Sequence, residues 1–266
     1  MKSKKSFPKK IISKNVVAGL GEIGKPIFQL LSKNTLTVGY DVEKKLMNMK
    51  HFQKYEKLNT HFLHICIPFS NNFHKNIMSL YKKLSPDIII IHSTVSPNTT
   101  NQIQKKLSVP IIYSATRGVH KRMFSDLKRY TKFFAIEPSA PNAINASLAF
   151  SKLMKKCGVQ TKKMSTPLTL ELAKIVVDTS YYGWLINYAQ LSNMIAIKNK
   201  VDYDEMWSFA DEIHKYLENR PKMFPGFIGG HCIIPNLDLI NDKTLNIIRE
   251  INSDYAKILK KRHKKN

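Results

Sequence analysis

The stretch NVVAGLGEIG, residues 15–24, constrains the fold of this chain more than any other. An apolar, strand-like run leads straight into Gly19, Gly21 and Gly24 in the spacing GxGxxG. In a strand–turn–helix unit the first glycine permits the tight turn. The second lets the backbone approach a diphosphate, and the third lets the helix pack closely on the strand. The diphosphate then meets a helix N-terminus, whose unpaired N–H groups favour an anion. Glu22 and Ile23 complete the turn and join the three glycines as expected cofactor-binding residues. An acid also stands at the right distance: Asp41 closes TLTVGYD, 20 residues after Gly21. Its carboxylate would accept hydrogen bonds from an adenosine ribose diol and repel a 2′-phosphate, so NAD is expected over NADP. Lys44 and Lys45 nearby moderate that preference. The alternative is a glycine turn with no ligand.

The rest of the first half repeats the alternation. NVVAG, TLTVGY, FLHICIPF, DIIIIHS, VPIIYS and KFFAIE read as strands, with amphipathic stretches such as NFHKNIMSLYKKL and NTTNQIQKKL between them. Strands alternating with helices, the strands nearly continuous in apolar residues, predict a doubly wound parallel sheet covered on both faces. Residues 166–198 then read as helix, followed by YDEMWSFADEIHKYLE and LNIIREINSDYAKILKKR. The fold class expected is therefore α/β, a Rossmann domain over residues 1–160 followed by an all-helical domain over residues 161–266. The apolar flanks of ELAKIVVDTSYYGWLI predict that its helix is largely buried.

Charge and cysteines narrow the function. The formal net charge is +24, yet the lysines run from Lys2 to Lys265 and are densest at the two ends. That pattern fits solvated faces and loose tails, or an anionic small-molecule substrate; nothing in it reads as a nucleic-acid module. No apolar run approaches the ~18 residues of a membrane span, and the basic N-terminus lacks the apolar segment of a secretory signal. Cys66, Cys157 and Cys232 are three and far apart, which predicts neither a disulfide framework nor a structural zinc site; a reducing cytoplasm is expected. Cys66 lies inside a strand and reads as core, and Cys157 as inert.

Several polar groups remain to be placed. Ser93 and Thr94, in HSTVSPNTT, and Pro68, in IPFS, follow strands and fall at the carboxyl edge of the sheet, where ligands bind in such folds. Lys174 and Asp178 share one helical face at i,i+4, as a surface pair or as a buried functional one. Arg117 could grip a carboxylate or phosphate and His120 could serve as an acid–base group; Arg220 is a further anion contact. FPGFIGGHCIIPN, residues 224–236, is either a backbone-exposed turn presenting a thiol or a glycine bend before a buried cysteine. The adjacent His231 and Cys232 point to opposite sides of an extended segment, and no metal site is expected.

Taken in order, VAGLGEIGKPI, ICIPFS, HSTVSPNTT, LELAKIVVDTSYYG and FPGFIGGHCIIPN resemble the UDP-glucose/GDP-mannose dehydrogenase family, within the 6-phosphogluconate and 3-hydroxyacid dehydrogenase group. The resemblance implies an NAD-dependent oxidation of a nucleotide-sugar alcohol to a carboxylate through a cysteine adduct. It implies Cys232 as nucleophile, with Gly229 and Gly230 leaving its approach open, Lys174 as stabiliser of the developing oxyanion, and Pro68 and Thr94 beside the cofactor. It also implies a homodimer made through the helical domain. The family's third domain, which helps hold the nucleotide, would begin about where this sequence ends. Two positions depart from the pattern: Asp178 stands where the family has asparagine, and Asn236 where it has aspartate. The pair reads as exchanged, with Asp178 as acid–base group and Asn236 as its hydrogen-bonding partner; alternatively, the enzyme stops after one oxidation. No glutamate occurs between Val109 and Ile136, where the family carries a catalytic one. Two other readings stay open: a one-step 3-hydroxyacid-type dehydrogenase using Lys174 without a thiol, and a non-catalytic NAD-binding or assembly protein.

Overall fold

A computed structural model describes residues 13–216, 224–230, 232–240 and 243–263. The chain divides into two compact units, residues 1–171 and 172–266.

The first unit is built on a seven-stranded sheet. Its strands are β1 (Lys14–Ala18), β2 (Thr37–Tyr40), β3 (Thr60–Ile65), β4 (Ile88–Ile91), β5 (Ile111–Tyr113), β6 (Lys132–Ile136) and β7 (Thr161–Lys163). The order is β2-β1-β3-β4-β5-β6-β7. All six runs read as strands in the sequence are present. The sheet is mostly parallel: β1–β5 run one way, β6 pairs antiparallel with β5 through Ile112↔Ile136 and Tyr113↔Ala135, and β7 runs parallel to β6. The helices are α1 (Gly24–Ser32), α2 (Met49–Lys54), α3 (Phe73–Leu84), α4 (Thr99–Gln104), α5 (Met123–Arg129), α6 (Ala143–Lys156) and α7 (Pro167–Leu172). Because side chains alternate along a strand, the sheet feeds two cores. Val17, Phe62, Ile90, Ile112 and Phe134 pack with α1, α5 and α6; Val16, Leu63, Ile65, Ile89 and Ile111 pack with α2, α3, α4 and α7. The chain leaves β1 toward β2 on one side and returns to β3 on the other. The carboxyl ends of β1 and β3 therefore form the switch point at which such sheets take ligands.

A pair of histidines lies buried in this sheet. His64 Nδ1 and His92 Nε2 are 3.0 Å apart, and His92 Nδ1 lies 3.1 Å from the Ser114 carbonyl. The carbonyl can only accept, so His92 carries its hydrogen on Nδ1 and accepts from His64 through Nε2. Both rings are then neutral. Burial, helped by the charge of Lys132, lowers His64 to about 3 and holds His92 well below the ordinary histidine range. The neighbouring Cys66 thiol is pushed up to about 12 by burial; the residue stands just past the end of β3, half-buried, and packs against the first core instead of lying within it. Unfolding frees both histidines to bind protons near pH 6.5. Stability should therefore be fully present above that pH and fall as pH drops below it, by up to about 1.4 kcal/mol per pH unit for each ring. Denaturation midpoints measured at pH 7 and pH 5 check this.

Among its described residues the second unit is all helical: a π-helical segment (Ala173–Ser180), α8 (Tyr181–Asn199), α9 (Tyr203–Tyr216), α10 (Ile233–Leu237) and α11 (Lys243–His263). Its core is small: Ile228, Ile233, Leu237 and Ile248, with Trp184, Ile186, Ile234 and Leu245 against it. Gly183 lets three helices meet. A Cβ there would stand 3.1 Å from Ile233 Cγ2 and 3.2 Å from Ile248 Cγ2.

Candidate functional site

The glycine turn has the geometry its spacing predicts. Gly19 has φ +90°, and a Cβ on it would lie 2.8 Å from the Cys66 carbonyl carbon and oxygen. A Cβ on Gly24 would lie 1.6 Å from the Gly19 oxygen, so α1 can start this close to β1 only from glycine. Above Gly21 the space is open: a Cβ there would meet nothing within 4 Å. No side chain caps the N-terminus of α1, and no acid lies in its first turn. A diphosphate thus has both room and N–H donors. Asp41 completes the cradle from the end of β2. Its carboxylate accepts from the Leu20 N–H (2.6 Å) and the Glu43 N–H (2.9 Å). Each oxygen keeps a second lone pair for a ribose hydroxyl. These residues fit a dinucleotide.

The opposite wall comes from the ends of β3 and β4. The Ser93 hydroxyl donates to the Ile67 carbonyl (2.5 Å), tying the two loops together. Pro68 is exposed and Thr94 half-buried. Sequence reading missed what anchors this wall. Glu171, fully buried, accepts from the Asn98 N–H (2.6 Å), the Thr100 N–H (2.9 Å) and the Thr100 hydroxyl (2.6 Å). Burial raises its carboxyl above the usual range while the Thr100 and Asn98 donors pull it down. It caps α4 across 71–73 residues of sequence, a separation that leaves no local signal.

Arg117 and His120 sit on the loop after β5. Arg117 donates to the Thr131 carbonyl (2.8 Å), and its guanidinium lies 4.9 Å from the Phe133 ring centroid. Both partners are internal, so this guanidinium is placed among structural contacts. His120 Nδ1 is 2.9 Å from Glu22 Oε2, which sets it beside the glycine turn. The loop is shaped by buried Asp126. Asp126 accepts from the Val119 N–H (2.9 Å) and Arg122 Nε (3.0 Å), and the Val119 bond leads in holding its carboxyl below the usual range.

In the second unit, Lys174 and Asp178 lie on the π-helical segment. Lys174 Nζ is 2.5 Å from Asp178 Oδ2; the lysine side chain is 13% exposed and the aspartate 45%. π-Helical turns inside longer helices recur at functional sites. The helix is not largely buried, contrary to what its apolar flanks predict. Ile175, Thr179, Ser180, Gly183 and Gln190 face inward, whereas Val177, Tyr181, Tyr182 and Tyr188 are exposed. A stripe of inward polar and small residues, not an apolar surround, defines the buried face.

Cys232 is exposed and takes the N-cap position of α10. The same short helix carries Asn236, half-buried, and packs against the π-helical segment. Cys232, Asn236, Lys174 and Asp178 therefore lie on two adjoining elements. Gly229 and Gly230 precede the thiol, both exposed, Gly230 at φ +73°. His231 and Arg220 lie outside the described residues. Among the described residues no group of three potential metal ligands is present. Buried amides on α8 and α11, which the sequence reading also passed over, hold the glycine loop from below.

A Rossmann-like sheet with a dinucleotide cradle, followed by an all-helical unit bearing a thiol, an ammonium and a carboxylate, defines the class of this chain. Among solved structures it is similar to a UDP-D-ManNAc dehydrogenase from Pyrococcus horikoshii, at a TM-score of 0.72 and 20% identity over 91% of this chain and 68% of that one. It is similar to a UDP-N-acetyl-mannosamine dehydrogenase from Staphylococcus aureus at 0.72 and 17% identity, over 95% and 70%. A Mycobacterium tuberculosis 3-hydroxyisobutyrate dehydrogenase matches at 0.62 and 13% identity, over 94% of this chain and 93% of that one. No family model and no curated protein matches the sequence. The chain has the fold of the nucleotide-sugar dehydrogenases that its motifs resemble.

Proposed function

We propose that this chain is an NAD-dependent oxidoreductase that converts an alcohol of an anionic substrate, a nucleotide sugar foremost, to a carboxylate. The observation that carries the reading is the packing of α10, with Cys232 and Asn236, against the segment that holds Lys174 and Asp178. When bound, the nicotinamide accepts a hydride. Lys174 stabilises the alkoxide from which the first hydride leaves. The Cys232 sulfur adds to the resulting aldehyde carbon, and the thiohemiacetal oxygen becomes the second oxyanion beside the same ammonium. Loss of a second hydride, which a second NAD would accept, gives a thioester. Asp178, with Asn236 as hydrogen-bonding partner, takes a proton from the water that cleaves it, returning the thiol and releasing the acid. Asp41 favours NAD, since its carboxylate repels a 2′-phosphate. Incubation with NAD and a panel of UDP- and GDP-sugars, followed by NADH formation, tests the reading.

A second reading has one observation of its own: the chain spans 93% of the 3-hydroxyisobutyrate dehydrogenase it matches. In a one-step hydroxyacid oxidation Lys174 alone would act, and Cys232 would be dispensable.

The working form is proposed as a homodimer, in a reducing cytoplasm. No helix among the described residues is long and apolar enough to cross a membrane, and no cysteine is in a disulfide. On α8, Tyr188 and Ile195 are 65% and 52% exposed; on α9, Phe209 and Tyr216 are 83% and 80% exposed. Apolar patches of this kind mark interaction surfaces. Phe209→Glu should shift the protein to monomer in sedimentation velocity at micromolar concentration, leaving its circular dichroism unchanged.

A further inference from the structure

We propose that Asn252 is a positioning residue for Cys232, acting through the backbone of Ile228. The proposal rests on the reading of Cys232 as the nucleophile. Asn252 lies on α11 and is 5% exposed. Its Nδ2 donates to the Ile228 carbonyl (3.0 Å), and its Oδ1 accepts from the Ile228 N–H (2.8 Å). One side-chain amide thus satisfies both backbone groups of a single residue, as a neighbouring strand would. The same Oδ1 accepts from Gln190 Nε2 (3.1 Å), which also donates to the Gly226 carbonyl (2.7 Å). Gln190 Oε1 accepts from Asn187 Nδ2 (2.8 Å). Each amide orientation is set by the next, so the network has one arrangement.

The loop needs this support. Among the described residues, its own backbone contributes one hydrogen bond, from the Gly226 N–H to the Phe224 carbonyl (2.8 Å). The side chains of Gln190 and Asn252 bond it at Gly226 and Ile228. On the far side of the thiol, Ile233 is fixed in the small core with Ile228 and Ile248. Cys232 is therefore bracketed between a hydrogen-bonded anchor at Ile228 and a packed anchor at Ile233. Gly229 and Gly230, which follow Ile228, carry no side chains.

Hydrogen exchange of the wild-type protein gives the first test. The Ile228 amide should exchange only with sub-global opening, at least ~100-fold slower than an open peptide; exchange at the open-peptide rate overturns the proposal. The second test is Asn252→Asp, which keeps the shape and the acceptor but cannot donate to the Ile228 carbonyl. Iodoacetamide labelling of Cys232, resolved by site with buried Cys157 as internal control, should change at least ~5-fold. In the same variant kcat should fall by roughly 10–100-fold with KM nearly constant, as expected for a small misplacement of a reacting group. A folded variant with unchanged labelling and unchanged kcat overturns the proposal. If Asn252→Asp does not fold, Gln190→Glu, which loses donors to Gly226 and Asn252, is read by the same measures. Should Cys232→Ser retain full activity, the nucleophile reading fails on its own. The labelling and exchange results still decide whether Asn252 sets the thiol's position.

Discussion

Gly24→Ala is expected to abolish dinucleotide binding and to destabilise the first unit. The added Cβ would fall 1.6 Å from the Gly19 oxygen and 2.7 Å from its carbonyl carbon, and both atoms are backbone. Relief requires α1 to move off β1 or the turn to open. Overpacking of this kind costs about 3 kcal/mol or more, a fall in Tm of at least ~6 °C in a unit of this size. NADH affinity should fall by at least ~100-fold, because the N–H groups that meet the diphosphate move with the helix. Gly21→Ala is the informative control. Nothing lies within 4 Å of its Cβ, so stability should hold while the methyl occupies the space a diphosphate needs. Thermal unfolding and fluorescence titration with NADH, run on both variants, separate the two effects.

Cys232→Ser should reduce net formation of acid by at least ~1,000-fold. A serine hydroxyl in the same place is a far weaker nucleophile at neutral pH than a thiolate. The aldehyde would then be released or held instead of converted to a thioester, and any remaining NADH would come from the first oxidation alone. The measurement is product analysis together with NADH release under single-turnover conditions. Full retained activity would favour the one-step reading, in which Lys174 acts without a thiol.

The sheet and the cofactor turn were legible because their signals are local. Apolar runs marked six strands, and GxGxxG with Asp41 marked the cradle. The reversal at β6 was not legible, since strand direction depends on the path of the connection and not on the residues of KFFAIE. β7, sequence TKK, was missed because it is polar and largely exposed, held by pairing with β6 alone. α6 was missed because alanine, serine and asparagine dilute its apolar stripe, although Phe150, Leu153 and Met154 are buried. The change of composition at residues 158–166 and the parting of the two units after residue 171 do not coincide. β7 bonds to β6 and Glu171 to the α4 turn, and both keep that stretch with the sheet.

In the candidate site, the residues that hold the machinery are the ones sequence reading passed over. Cys232, Lys174 and Asp178 stand in motifs whose family resemblance implies a site. Asn252 and Gln190 read as ordinary polar positions on helices, because the backbone groups they bind lie 24 and 36 residues away. Glu171 stood three residues before Lys174 and was read as neither cap nor anchor. The π-helical turn was equally hidden, since its bonding register is not written in AKIVVDTS.

The exchange of Asp178 and Asn236 makes the number of hydride transfers the most direct question. The measurement is the yield of NADH per molecule of nucleotide sugar consumed, with the sugar limiting and NAD in excess. Two NADH and a carboxylate product are expected, with Asp178 supplying the base for thioester cleavage. One NADH with an aldehyde product, or none across the whole panel, would contradict it.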